Sequence, residues 1–209
     1  MLRSCRPPYC TNNTVRQGGL ANRHNACYVT HVMPKTVDHA ARRDNLASTA
    51  AAVIAAHGLA GASMRDVAAS AGVTTGSVTH YFPGRSDLIA AAYDKVMGRL
   101  LDRLDEPAGH GELLATMASY LPQDDESAAE WRVWLAFSAE ALVNPALLAR
   151  HRAYYAAITD RLAADLSPPQ ADLLVALIDG LAIRILLEPA DWPASRITTT
   201  LAAALPALA

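Results

Sequence analysis

The stretch from Ser63 to Arg85 constrains this chain more than any other. Ser63 is a natural helix cap, and Asp66 stands three residues on, the spacing of a reciprocal capping box. The helix so begun runs to about Ala71, and Gly72 can take the positive φ that a sharp turn needs. Thr74 caps a second short helix that runs to about Phe82, where Pro83-Gly84 stops it. Two short helices joined by a glycine turn are the layout of a helix-turn-helix. Ala68 is small where the two helices must approach, Gly72 turns the chain four residues later, and Val78 follows six residues after that as an apolar plug.

The start of the second helix reads Thr74, Thr75, Gly76, Ser77. All four are small, and three carry hydroxyls that can bond phosphates or base edges. A recognition helix presents this end to the major groove. Thr79, His80 and Tyr81 follow on the same helix, and Tyr81 can either reach a phosphate or bury its ring. The net charge of -2 excludes a uniformly basic nucleic-acid coat, but a local basic face suffices for DNA. Arg3, Arg6, Arg16, Arg23 and Lys35 all precede the first acid, Asp38, while Asp124, Asp125, Glu126 and Glu130 gather later.

Hydrophobic residues make up 52% of the chain, aromatics 6%, and alanine and leucine recur throughout, so the expected fold class is all-α. Residues 1–32 differ from the rest: Pro7-Pro8, Asn12-Asn13 and Gly18-Gly19 interrupt any helical period, and a disordered basic tail is expected there. Translation from Met33 is an open alternative for this segment. Residues 33–84 are read as the helix-turn-helix domain and 85–209 as a second, regulatory domain. Helix 1 starts at Asp38 and ends at Gly58, and helix 4 runs from about Arg85 to Leu104. Five more helices are expected near 110–121, 126–143, 145–165, 168–188 and 193–207, divided by prolines. No run is apolar enough to span a bilayer and no secretory pattern opens the chain, so a cytoplasmic protein without a membrane partner is expected. Cys5, Cys10 and Cys27 have His24 and His31 nearby, but no CxxC pair. Free thiols are the expectation, with no metal and no cofactor.

The segments Ser63-Met64-Arg65-Asp66-Val67-Ala68, Ala71 to Ser77, His80-Tyr81-Phe82-Pro83 and Asp87-Leu88 resemble the N-terminal domain of the TetR family. Gly76 to Phe82 is similar to the subgroup typified by choline-responsive repressors. The resemblance covers residues 42–104 and is most specific over 63–88. It implies a three-helix DNA-binding domain, a fourth helix linking it to a variable regulatory domain, and a homodimer on operator DNA that a small-molecule effector releases. It also implies roles. Ser63 and Arg65 would touch the DNA backbone. Thr74, Thr75, Gly76, Ser77 and Thr79 would lie at the groove, and His80 and Tyr81 at phosphates. Arg85 would stand where the family usually has a phosphate-binding lysine. Thr79 replaces the tyrosine of many members.

Beyond residue 104 only pattern remains. Trp131, Trp134, Leu135 and Ser138 recur at helical spacing, and Tyr154 and Tyr155 add aromatic weight. Either these rings fill a helical core, or some of them line a pocket for an apolar or cationic molecule, with Met117 and Tyr120 as further walls. The segment Ala171 to Leu187 is apolar on more than one side, as in a helix buried or packed on a partner. The resemblance implies dimerisation through the last two helices, which makes Leu177, Gly180, Leu181 and Arg184 interface candidates. An enzyme is the rival reading, but no phosphate loop, HExxH or nucleophile elbow is present. A constitutive DNA-binding protein without effector is the other.

Overall fold

Most helices of this protein begin where a short polar side chain can take the free N–H groups of the first turn. In the computed structural model, which describes residues 38–105 and 113–208, Asp38 accepts from the Ala41 N–H at 3.0 Å and opens α1 (His39–His57). Ser63 and Asp66 form the expected capping box for α2 (Met64–Ser70), and the Ser63 hydroxyl and N–H, both donating to Asp66, hold its carboxyl below its usual range. Thr74 accepts from the Ser77 N–H at 3.2 Å and opens α3 (Thr75–Tyr81). Gly58 (φ 66°) and Gly72 (φ 65°) occupy the left-handed region and close α1 and the α2–α3 turn. Then come α4 (Arg85–Asp105), α5 (Leu113–Ser119), α6 (Asp125–Ala141), α7 (Pro145–Leu162), α8 (Pro168–Leu187) and, after a 3-10 turn at Pro189–Asp191, α9 (Ala194–Leu208). The described residues are helical with no strand among them, as the composition implied. The tail expectation for 1–32 lies outside the described residues.

Two apolar clusters hold the helices. The first joins α1–α4 to α6 and α7 through Leu46, Val67, Val78, Phe82, Leu88, Tyr93 and Phe137. The second joins α5, α8 and α9 through Met117, Leu121, Leu181, Ile185, Ile197 and Leu201, with Trp192 flanked by the guanidiniums of Arg184 and Arg196. The helix-turn-helix therefore shares a core with α6 and α7. Its packing positions are those expected: Ala68 and Val78 are buried.

Charges lace α4 to its neighbours. Lys95 meets Asp44 of α1 at 2.6 Å, Asp94 meets Arg150 of α7 at 2.6 Å, and Asp105 meets Arg161 of α7 at 2.7 Å. Arg99 and Arg103 converge on Glu130 of α6 at 2.7 and 3.2 Å. Glu130 is only 7% exposed, and the two guanidiniums bond its carboxyl there.

Candidate functional site

The first two turns of α3 present one continuous polar face. Thr75 and Gly76 are exposed, and a Cβ added at Gly76 would meet only the Thr74 hydroxyl, at 3.8 Å. The Thr74 and Ser77 hydroxyls lie 3.0 Å apart. The Thr79 hydroxyl donates to the Gly76 carbonyl at 3.1 Å, so it is engaged along its own helix. Ser63 is likewise committed to its cap, whereas Arg65 is exposed on α2. His80 is exposed and packs edge-on against Tyr81, their centroids 5.1 Å apart.

Tyr81 is half-buried, and its hydroxyl lies 3.2 Å from His39 Nδ1 on the first turn of α1. His39 was not singled out in the sequence, because its partner lies 42 residues away and no local pattern marks it. His39, Arg42, Thr74, Gly76, Ser77, His80 and Tyr81 line one open concavity of about 750 Å³. Arg43 instead lies over the Phe82 ring at 5.0 Å. Arg85 donates to the Leu59 carbonyl, which ties the start of α4 to the α1–α2 turn. This face offers hydroxyls, imidazoles and a guanidinium with no acid among its lining residues, which suits a polyanion.

The second candidate site is internal. Tyr93 of α4 stacks on Phe137 of α6, centroids 3.6 Å apart and planes 3° apart, and Tyr154 of α7 meets Tyr93 edge-on at 5.4 Å. The Trp134 indole N–H donates to the Tyr155 hydroxyl at 3.1 Å, and that hydroxyl donates to Asp179 of α8 at 2.6 Å. The His151 ring lies 4.3 Å from the Tyr155 ring, and its Nδ1 is 3.3 Å from the Tyr93 hydroxyl. Burial sets the protonation here. It raises Tyr93 and Tyr155, and it lowers His151. Burial and the Asp94 carboxylate push Tyr154 up to about 12. Burial pushes Asp179 up to about 6, opposed by the Tyr155 bond. Near neutral pH the tyrosines are thus donors and His151 is neutral. An open groove of about 440 Å³ lies alongside, lined by Leu101, Ala146, Arg150, Ala153, Tyr154 and Ala157.

Two family models match the chain. Bacterial regulatory proteins of the tetR family match residues 46–92, and the C-terminal domain of BetI-type transcriptional repressors matches residues 110–209. The HTH-type transcriptional regulator PksA of Bacillus subtilis strain 168 is 32% identical over 181 residues, covering 79% of this chain and 88% of PksA. The chain belongs to the TetR family. A transcriptional regulator from Rhodococcus sp. Rha1 has the same fold, with a TM-score of 0.68 and 32% identity over 76% of this chain and 91% of that one. The multidrug binding protein EbrR, solved with imidazole, matches with a TM-score of 0.59 and 30% identity, covering 78% of this chain and 88% of its own. The protein is accordingly a transcriptional regulator of the TetR/BetI type and not an enzyme. Among the described residues no group of metal-ligating side chains stands together, and no helix is long and apolar enough to cross a membrane.

In this TetR-family regulator the pocket candidates divide into two groups. Trp134 and Tyr154 pack on the first core, beside Tyr93 and Phe137. Met117 is fully buried in the second core, and Trp131 packs there too, with its indole N–H on the Tyr120 carbonyl at 2.9 Å. Trp131 and Trp134 still touch, centroids 5.0 Å apart. Ser138 Oγ is buried without a hydrogen-bond partner among the described residues. The interface candidates divide as well. Leu181 is 5% exposed and belongs to the chain's own core, and Leu177 packs on the same cluster. The outward stripe of α8 is Leu173, Ala176, Gly180, Arg184 and Leu187, at spacings of three and four.

Proposed function

We propose that this regulator binds operator DNA in the cytoplasm as a homodimer, and that a small molecule entering the aromatic interior between α4, α6, α7 and α8 releases it. The observation that carries this reading is the Tyr93–Phe137 stack. Tyr93 lies on α4, which starts at Arg85, directly after the recognition helix. A ligand among these rings competes with the packing that positions α4, and so shifts the separation of the two DNA-reading heads. That EbrR holds imidazole supports a small-molecule site in this fold.

In this reading residues 33–84 form the DNA-binding domain and 85–209 the sensing and dimerising domain. Thr75, Gly76 and Ser77 meet base edges. Arg65, His80 and Tyr81 meet phosphates, joined by His39 and Arg42. Ser63, Thr74, Thr79 and Arg85 shape the face through their bonds within the chain. The two recognition helices of the dimer enter major grooves about 34–36 Å apart. The full chain, titrated onto DNA from its own upstream region, should bind as a dimer and lose affinity when an effector is added. A protein that holds its operator equally tightly across cationic, neutral and anionic small molecules would be a constitutive binder, and the sensing half of this reading would fall.

The dimer face makes a separate prediction. Leu173 and Leu187 are 43% and 70% exposed, and a Cβ added at Gly180 meets nothing within 4 Å, so the outer stripe of α8 is free to approach a second copy. Leu173→Glu with Leu187→Glu should leave the helical circular dichroism intact but shift sedimentation to monomer, because a carboxylate in an apolar interface stays unpaired. Operator affinity should fall at least about tenfold, since each monomer reaches one half-site. Leu181→Glu should unfold the chain instead. A double variant that remains dimeric would move the interface off this stripe.

A further inference from the structure

We propose that Asp179 is the anchor for a cationic effector that carries an N–H group, an ammonium or amidinium on a small apolar body. The inference rests on the effector reading above and adds the chemical class of the ligand and the residue that selects it.

Among the described residues, buried Glu130 and half-buried Asp94 are matched to cations: Glu130 has Arg99 and Arg103, and Asp94 has Arg150. Asp179 is different. Its bond partner among the described residues is the Tyr155 hydroxyl, at 2.6 Å on Oδ2, and no basic side chain bonds it. The phenol donates a proton but no charge. A carboxylate removed from water without a counter-charge is costly, and the cost is returned when a cation arrives. Its surroundings favour that cation. The hydroxyl that bonds it also accepts from the Trp134 indole, and the His151 ring lies 4.3 Å from the Tyr155 ring, so aromatic groups that suit a cation stand close by. One turn along α6 from Trp134, the Ser138 hydroxyl is buried with no partner among the described residues, a second polar group of this interior left unsatisfied by them.

The N–H follows from Asp179 Oδ1, which has no donor among the described residues. A protonated amine or amidine makes a charge-assisted bond there, whereas a quaternary ammonium has no proton to give. The same contacts lead to the DNA-binding half: the Tyr155 and His151 rings pack 4.3 Å apart, and His151 bonds the hydroxyl of Tyr93 on α4. A cation that draws Asp179 toward itself loosens the Tyr155 end of this chain of contacts.

Other charges near Asp179 do not offer it a counter-ion. From α7 the facing groups are Tyr155 and His151, while Arg150 and Arg161 are held by Asp94 and Asp105. From α4 the facing group is Tyr93, and from α6 the uncharged Trp134, with Glu130 already paired. On α8 Arg184 pairs with Glu188, and from α9 Arg196 lies over Trp192. Burial holds the Asp179 carboxyl up to about 6, so cation binding should weaken as pH falls through that value.

The test uses the full chain and three probes of one shape: benzylamine, benzyltrimethylammonium and benzyl alcohol. Binding is read by calorimetry and operator release by DNA anisotropy, for wild type and Asp179→Asn, which keeps an acceptor for Tyr155. Wild type should prefer benzylamine to both other probes by about 10- to 100-fold, the worth of a charge-assisted hydrogen bond. Asp179→Asn should erase that preference while binding benzyl alcohol as before. Wild-type affinity for benzylamine should fall as pH drops from 7 to 5, and the variant's should stay flat. Equal binding of benzylamine by wild type and variant would overturn the assignment, as would a wild-type preference for benzyltrimethylammonium. If probes release operator equally from both proteins, Asp179 is not the anchor and the effector reading stands. If no small molecule of any charge releases operator, the effector reading itself fails.

Discussion

Gly76→Glu is expected to abolish operator binding while leaving the protein as stable as before, or slightly more so. Gly76 sits in the first turn of α3, exposed, with ordinary helical backbone and open space where a side chain would project. A non-glycine residue there recovers ~0.5–1 kcal/mol of helix propensity. An acid in the first turn also suits the helix dipole. The same carboxylate would stand on the face lined by His39, Arg42, Thr74, Ser77, His80 and Tyr81, the face we propose meets DNA phosphates and base edges. Like charges brought together at an interface cost several kcal/mol, so the loss in affinity should exceed about 100-fold. Gly76→Ala, which adds bulk without charge, should cost far less. Thermal unfolding and operator anisotropy measured on one preparation separate the two effects. A Gly76→Glu protein that binds operator normally would show that this end of α3 does not meet DNA.

Phe137→Ala should be among the most destabilising single changes in the regulatory half, at ~3–5 kcal/mol for a buried aromatic cut to a methyl. Phe137 is almost fully buried and lies flat against Tyr93. Its removal strips one face of a tyrosine whose hydroxyl is bonded to His151, so neighbouring side chains are not free to collapse into the space. At roughly 2–4 °C per kcal/mol for a chain of this size, the melting temperature should drop by about 6–20 °C. Urea unfolding should show a lower midpoint with an unchanged slope. The space left beside α4 should also bind small apolar molecules and weaken operator affinity at temperatures where the variant is still folded. A loss below about 1 kcal/mol would mean that the Tyr93–Phe137 stack is not the joint between α4 and the interior.

The helix-turn-helix was legible in the sequence because it is written in short-range relations. Ser63 with Asp66, Thr74 with Ser77 and Gly72 at the turn each act across at most a few residues, and each is found in the structure as expected. The resemblance to the TetR family came from the same stretch, and the matched relatives bear it out. The aromatic interior was legible only in part. Trp134 and Ser138 stand out by helical spacing and Tyr154 as an aromatic, but Tyr93 and Asp179 come to the same place from α4 and α8. No periodicity links residues so far apart. His39 was missed for the same reason.

By itself the sequence determined where helices start and stop, that the described residues build helices and no strand, and which short helix presents small hydroxyl residues at its N-terminus. Those features depend on caps, turns and propensities, which act locally and need no partner. Tertiary structure alone decided which side of α8 faces outward. Leu173, Leu177, Leu181 and Leu187 are equally apolar in sequence, and a helix apolar all round has no face that periodicity can choose. Packing with α5 and α9 in the second core takes Leu181 and, with it, Leu177, and leaves Leu173 and Leu187 exposed. The packing of α6, α7 and α8 put Asp179 beside Tyr155 and in no ion pair among the described residues, which a residue list cannot show because charge pairing is settled by distance in space.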